Sequence, residues 1–430
     1  MRHILLRVYP PFYDMKRSPL AILFITVVID LLGFGIILPL LPLYVERFGG
    51  TPVIAGWLST SFSIMQFIFA PIWGRVSDLK GRRPLILMSL LGTSCAFFLF
   101  GIAQHLWMLF VARIAAGILT AASLPSAQAY IADVTTPERR ARGMALIGVA
   151  FGIGFAFGPW IGAWLGKHYG LGGPAFFVSG LALANFIWSY FALPESHRVR
   201  DTSRARKVVI FDVKPFIRSF QRPHLGQLLT VFSIATFAFA MMEATFTWLV
   251  LLRFVEPQYG AILTPSQLEA KATSVVGPIF GIVGISAVLA QGAVMSGAAQ
   301  RVGERTLVRL GALILTATLL GIGAVYSLPG IAFLSACLAA GNGIMTPSLS
   351  SMISKVADPD ERGGTLGVQQ GLGSLARIIA PPLGTWLLQG FGTGTPYFAA
   401  AVLMGLALLL TLKIKKLPEG NPAPSAASYH

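Results

Sequence analysis

Charged side chains vanish from this chain for long stretches. Phe48–Gly74, Pro84–Ala112, Gly143–Gly166, Tyr169–Pro194, Ala272–Gln300 and Ile378–Leu412 contain none. Leu310–Ser354 is charge-free for 45 residues, too long for one bilayer crossing and suited to two joined at Ser327-Leu328-Pro329-Gly330. The pattern predicts helices over roughly 19–45, 53–74, 84–103, 106–128, 142–166, 172–193, 225–253, 273–297, 306–326, 330–353, 363–389 and 395–412. Each is long enough to cross a membrane at ~20 residues per span. The expected fold class is therefore an all-α membrane protein of twelve transmembrane helices.

Composition agrees. Hydrophobic residues make up 55% of the 430 and charged residues 12%, against about 25% charged in a soluble domain. An ordinary cytosolic enzyme, a disordered protein and a small secreted domain are excluded. The net charge of +16 resembles a nucleic-acid signal until the 33 basic residues are sorted by side. Twenty-seven fall at the termini and in the connections that return the chain to the N-terminal side; Arg47, Lys167, Arg253 and Lys271 fall on the other. Arg113 and Arg377 lie inside helices. This asymmetry places both termini in the cytoplasm of an inner or plasma membrane, and no nucleic-acid partner is needed. The N-terminal MRHILLRVYPPFYDMKR lacks a compact apolar core and does not read as a removable signal peptide.

The chain repeats itself. Shifted by 222 residues, Ile131–Leu165 aligns with Ile353–Leu387 without a gap, pairing Pro137 with Pro359, Arg140 with Arg362, Pro159 with Pro381, Gly162 with Gly384 and Trp164 with Trp386. The same offset pairs Gly81 with Gly303 and Arg83 with Arg305. Six helices per repeat make the two halves parallel, an arrangement that suits a transporter with its site between them. The expected divisions are an N-terminal bundle over 1–194, a basic linker over 195–222, a C-terminal bundle over 223–417 and a disordered tail over 418–430.

Two segments carry motifs. The connection after helix 2 reads Gly74-Arg75-Val76-Ser77-Asp78-Leu79-Lys80-Gly81-Arg82-Arg83. Its glycines permit a tight reversal, and Asp78 can meet a helix N-terminus or an arginine across the half-interface. Helix 5 carries Gly148, Gly152, Gly154, Gly158, Pro159 and Gly162. Glycines spaced by four share a face and let another helix approach closely in lipid; Pro159 removes one backbone hydrogen bond. Plain packing and sealing of one cavity end are both open for that face.

These segments resemble the major facilitator superfamily. The Gly74–Arg83 loop resembles its loop motif, Arg113 with Gly117 resembles its RxxxG pattern, and helix 5 resembles the signature of its drug:proton antiporters. Asp30-Leu31-Leu32-Gly33-Phe34-Gly35 resembles the first helix of the twelve-helix, tetracycline-exporter-like branch; Asp133 also fits. The resemblance implies two six-helix halves, a gating loop of Gly74, Asp78, Gly81, Arg82, Arg83 and Asp133, and export more than import. In the second half the loop motif has decayed, with Gln300 where Asp78 would fall, so only one of two loop latches is expected to be intact.

Asp30 and Glu243 are the only deep acids. Asp30 lies 11 residues into helix 1, or ~17 Å at 1.5 Å per residue. Unpaired charge there is costly, so each acid faces a wet cavity, takes a partner or stays protonated. A proton-coupling set of Asp30, Glu243 and Arg113 follows, and its rival is a fixed ion pair of either acid with Arg113 or Arg377. Candidate cavity residues are Phe34, Gln66, Phe237, Met241, Phe246, Asn342 and Arg377. Packing or lipid contact is the plainer reading of the aromatic and Met members, and interhelical bonding is an equal one for Gln66 and Asn342.

The absences bear on function too. Without a GxxxxGKS loop, ATP does not drive the protein directly. The six His residues fall at loops or tails, and Cys95 and Cys337 lie in apolar runs, so no metal or redox centre is expected. The expectation is a cofactor-free, proton-driven antiporter, sufficient as a monomer, whose partners are the bilayer, protons and a small amphipathic or drug-like molecule. A proton symporter importing a metabolite, and a non-transporting sensor, are the alternatives.

Overall fold

A computed structural model describes residues 19–37, 40–135, 137–196, 214–294, 299–357 and 362–414. Most of the basic linker and the whole expected tail lie outside them. The helices are α1 (Pro19–Ile37), α2 (Leu41–Arg47), α3 (Pro52–Lys80), α4 (Arg82–Gly101), α5 (Leu106–Thr120), α6 (Ser123–Val134), α7 (Pro137–Tyr169), α8 (Gly172–Ala192) and α9 (Lys214–Gln221). They continue as α10 (Pro223–Val250), α11 (Glu256–Tyr259), α12 (Pro265–Ala293), α13 (Ala299–Val302), α14 (Glu304–Ala324), α15 (Leu328–Val356), α16 (Arg362–Phe391) and α17 (Thr395–Leu412). Among the described residues ten helical stretches are long and apolar enough to cross a membrane. With α7 and α16, of 33 and 30 residues, they make the twelve spans.

The differences from the sequence pattern have local causes. Helix 4 breaks at Ala121–Ala122 because Pro125 has no N–H to return to the Ala121 carbonyl. Helix 7 does not stop near 253; a π turn at Leu251–Val255 carries it into α11. Helix 8 starts early, at Pro265, because Thr264 and Gln267 form a capping box. At the far end of span 7, Arg253 donates to the carbonyls of Ile322, Gly323 and Val325 at 3.2, 3.1 and 2.8 Å, closing the C-terminus of α14.

The repeat is visible in three dimensions. Gly81 and Gly303, 222 residues apart, both have positive φ (100° and 87°) and start α4 and α14. Within the halves, α1 packs on α7 as α10 packs on α16. Between them, α3 packs on α16 as α12 packs on α7. Large apolar side chains such as Phe191, Leu289, Phe333 and Val402 stay exposed on the outer surface, as a lipid solvent permits.

Candidate functional site

A cavity of about 600 Å³ lies between the halves, walled by α1, α3, α4, α5, α6 and α16. From Phe34 and Arg377 it extends through Pro71, Gln128 and Gly367 toward the end of the bundle that carries the basic loops. The opposite end is shut by two matching contacts. Gly56 of α3 sits against Pro381, Pro382 and Thr385 of α16, and Thr60 donates to the Ile378 carbonyl at 2.7 Å. Gly277 of α12 sits against Ala163 of α7, and 163 shifted by 222 is 385.

Asp30 borders this cavity, half-buried. Its Oδ1 accepts from Thr93 at 3.2 Å and its Oδ2 accepts from Ser123. The break between α5 and α6 creates the second contact, because Ser123 opens α6. Neither fixed ion pair forms for Asp30 among the described residues. Thr93 and Ser123 were not candidates from the sequence; hydroxyls in apolar spans are common, and nothing in the order of residues reveals which meets an acid.

Arg113 is 4% exposed and lies over the Phe62 ring at 4.4 Å, with its Nε making no hydrogen bond. Phe62 in turn packs on Phe34, ring centroids 5.9 Å apart. Behind them a gap of about 20 Å³ is bordered by Phe34, Ser59, Ser63, Arg113, Glu243, Arg377 and Pro381, room for about one water. Arg377 acts on Glu243 through space, but no ion pair joins them among the described residues. Phe34, Arg113 and Arg377 border both spaces and so form the wall between them.

Of the cavity candidates, Phe34, Gln66 and Arg377 line the large space. Phe237, Met241, Phe246 and Asn342 do not. Met241 lies beneath Gly384, Phe246 meets Phe280 edge to face with ring centroids 5.3 Å apart, and both belong to the buried apolar core against which Phe237 packs. Asn342 accepts from Thr346 at 2.9 Å. Gln128, Gln370 and Ser374 line the cavity instead.

At the basic end, Asp78 pairs with Arg82 on the next helix of its own half, not across the interface. Arg82 also meets Asp133 at 3.2 Å and Ser77 at 3.3 Å. Glu195, after span 6, accepts from the Arg82 and Arg83 backbone N–H at 2.9 and 3.2 Å, capping α4. Gly81 is required there, since its φ is 100° and a side chain would strike that carboxylate. Arg83 donates to the Tyr190 carbonyl, and Gly74 has open space around it. The second-half latch is not lost, contrary to the sequence expectation. Glu304 pairs with Lys355 at 2.8 Å and accepts from Ser351 at 2.6 Å. Positions 304 and 355 are 82 and 133 shifted by 222, so the same pair stands with its charges exchanged.

Of the helix 5 glycines, Gly154, Gly158 and Gly162 face α1, not the other half. A Cβ on Gly154 would meet Leu31, one on Gly158 would lie 3.0 Å from Gly35, and one on Gly162 would meet Ile36. Pro159 lies beside Gly35, and the face toward α12 is made by Trp160, Ala163 and Gly166. Gly148 and Gly152 belong to α7, and their surroundings lie outside the described residues.

The Major Facilitator Superfamily profile matches residues 23–296 and 263–428. The chain belongs to this superfamily. It is 30% identical over 400 residues to the class C tetracycline resistance protein of Escherichia coli, covering 92% of this chain and 95% of that one. It is 27% identical over 403 residues to multidrug resistance protein 1 of Bacillus subtilis (strain 168), covering 94% and 97%. Among solved structures, the human organic anion transporter MFSD10 shares 25% identity with a TM-score of 0.67, covering 93% and 100%. An inward-facing bacterial homologue of the lysosomal transporter Spinster shares 13% identity with a TM-score of 0.72, covering 95% and 100%, a likeness of fold. Superfamily membership makes the chain an integral membrane protein and not an enzyme.

Proposed function

We propose that the protein is a proton-coupled antiporter that exports a small amphipathic compound by alternating access. The observation that carries this reading is Asp30, a carboxyl deep in span 1 on the cavity wall, held by two hydroxyls and, among the described residues, by no arginine. Such a group can gain and lose a proton without breaking a salt bridge. The similarity to tetracycline and multidrug resistance proteins supports export. The basic end is read as cytoplasmic, so the cavity faces inward, ready to take cargo. Cargo and proton compete at Asp30; Glu243, with Arg377 and Arg113, is the second titrating group at the closed end. No nucleotide or metal takes part, and one chain contains the whole site, so a monomer suffices.

The test is reconstitution in vesicles under an imposed pH gradient, with a fluorescent cationic dye, tetracycline and an aromatic carboxylate as cargoes. Gradient-dependent movement of cargo against protons is expected, and Asp30→Asn abolishes accumulation. Full accumulation by that variant removes Asp30 from the mechanism. The amides and hydroxyls of Gln66, Gln128, Gln370 and Ser374 favour a second reading, import by proton symport. Uptake that rises with an inward proton gradient would select it.

A further inference from the structure

The wall between the two cavities holds two guanidiniums that no ion pair joins to a carboxylate among the described residues. Arg113 is 4% exposed, its Nε makes no hydrogen bond, and its contact is the face of Phe62. Arg377 interacts with Glu243 through space, with no hydrogen bond or ion pair among the described residues. Asp30, on the same cavity, is held by Thr93 and Ser123 and pairs with neither guanidinium among the described residues. Glu243 is one carboxylate near two cations, at the small cavity only. A guanidinium nitrogen buried without a partner, as Arg113 Nε is, is costly in an apolar span and favours an anion beside it. Both arginines also border the large cavity, where Phe34, Phe62, Phe97 and Leu124 offer apolar surface. That cavity extends toward the loops carrying most of the chain's basic residues, a field that draws anions to its mouth.

We propose that the cavity binds its cargo through an anionic group docked on Arg113 and Arg377. The substrate class is an amphipathic organic anion, a carboxylate, sulfonate or enolate on an aromatic-sized body, with a hydrogen-bond donor for Asp30. This deepens the antiporter reading and rests on it for the role of the cavity. The anionic end supplies affinity at the arginines. The donor end competes with the proton at Asp30, and that competition couples the two fluxes.

The experiment compares two fluorescent probes of nearly equal shape, dansylglycine and its neutral amide, by titration of the purified full-length chain in detergent. The carboxylate binds ~10- to 100-fold more tightly, the range of a charge-assisted hydrogen bond or two. Arg113→Gln and Arg377→Gln each cut that advantage about tenfold; the Lys variants keep part of it. The wild-type comparison needs no variant to fold. Equal affinities, preference for the amide, binding of neither probe, or an advantage that survives both Gln substitutions together would overturn the proposal. The two readings fail separately. A carboxylate preference without pH-driven flux keeps this site and removes the antiporter. Flux of dye or tetracycline without that preference does the reverse.

Discussion

Gly158→Ala is the sharpest probe of how the fold positions Asp30. A Cβ there would lie 3.0 Å from both the Cα and the carbonyl carbon of Gly35. Carbon atoms sit best about 3.5–4.0 Å apart, so α1 must retreat by roughly 0.5–1 Å. These are backbone atoms and no side chain can swing away, so overpacking costs ~1–3 kcal/mol. Alanine returns up to ~1 kcal/mol as the better helix former. Gly180→Ala is the control, since Gly180 is exposed in mid-α8 with nothing within 4 Å, and only the helix-forming gain applies. The two variants should therefore differ in stability by ~1–3 kcal/mol, measured by thermal unfolding in one detergent. Transport follows, because Asp30 lies on the displaced helix and its bonds to Thr93 and Ser123 span to α4 and α6. Gradient-driven flux should fall in Gly158→Ala and stay at the wild-type level in Gly180→Ala. Equal melting temperatures and equal flux in the two variants would refute the argument that this contact sets the place of α1.

Three further outcomes are expected. Glu195→Gln removes a carboxylate from the N-terminus of α4 and costs ~0.5–2 kcal/mol, seen as faster hydrogen exchange at the Arg82 and Arg83 amides; unchanged exchange there would refute the cap. Glu304→Lys and Lys355→Glu each lower the melting temperature and the double exchange recovers part of it, a small effect of ~0.2–1 kcal/mol because Lys355 is exposed; a double variant worse than the sum of the singles would refute the pairing. Gly56→Leu drives a side chain into Pro381 and Pro382 and destabilises the state closed at the far end. Its test is labelling of Ser59→Cys by an impermeant maleimide added from that side, which should speed up; an unchanged rate would show that this contact does not hold the halves shut.

The spans were legible because lipid allows few alternatives: a charge-free run of ~20 residues must satisfy its backbone internally. Their interruptions were less so. Pro125 announces the break before Ser123, yet Pro71, Pro159 and Pro278 sit within helices that continue. Asp30, Gln66, Arg113 and Arg377 line the cavity, since charged and amide side chains in apolar spans turn from lipid toward a cavity or a partner, as Asn342 does toward Thr346. Met241 and Phe246 were misplaced for the converse reason. An apolar side chain is equally at home against lipid, a neighbouring helix or a ligand, so its type carries no direction.

The repeat explains why one latch was read as lost. Sequence comparison at the 222-residue offset sets Arg82 against Glu304 and Asp133 against Lys355, two mismatches. In space they are one conserved pair with its polarity exchanged. The helix dipoles distinguish the two versions. Glu304 opens α14 and Lys355 lies in the last turn of α15, so both charges favour their helix ends. Arg82 opens α4 and Asp133 lies near the end of α6, so both oppose theirs. The first half offsets this with Glu195 on the α4 amides and with Asp78 and Ser77 on Arg82. Its latch is therefore a network in which each partner is needed, whereas the second-half pair is self-consistent. It follows that the readable loop motif marks the half whose latch needs more residues, and its apparent decay marks the half whose helices already supply the field.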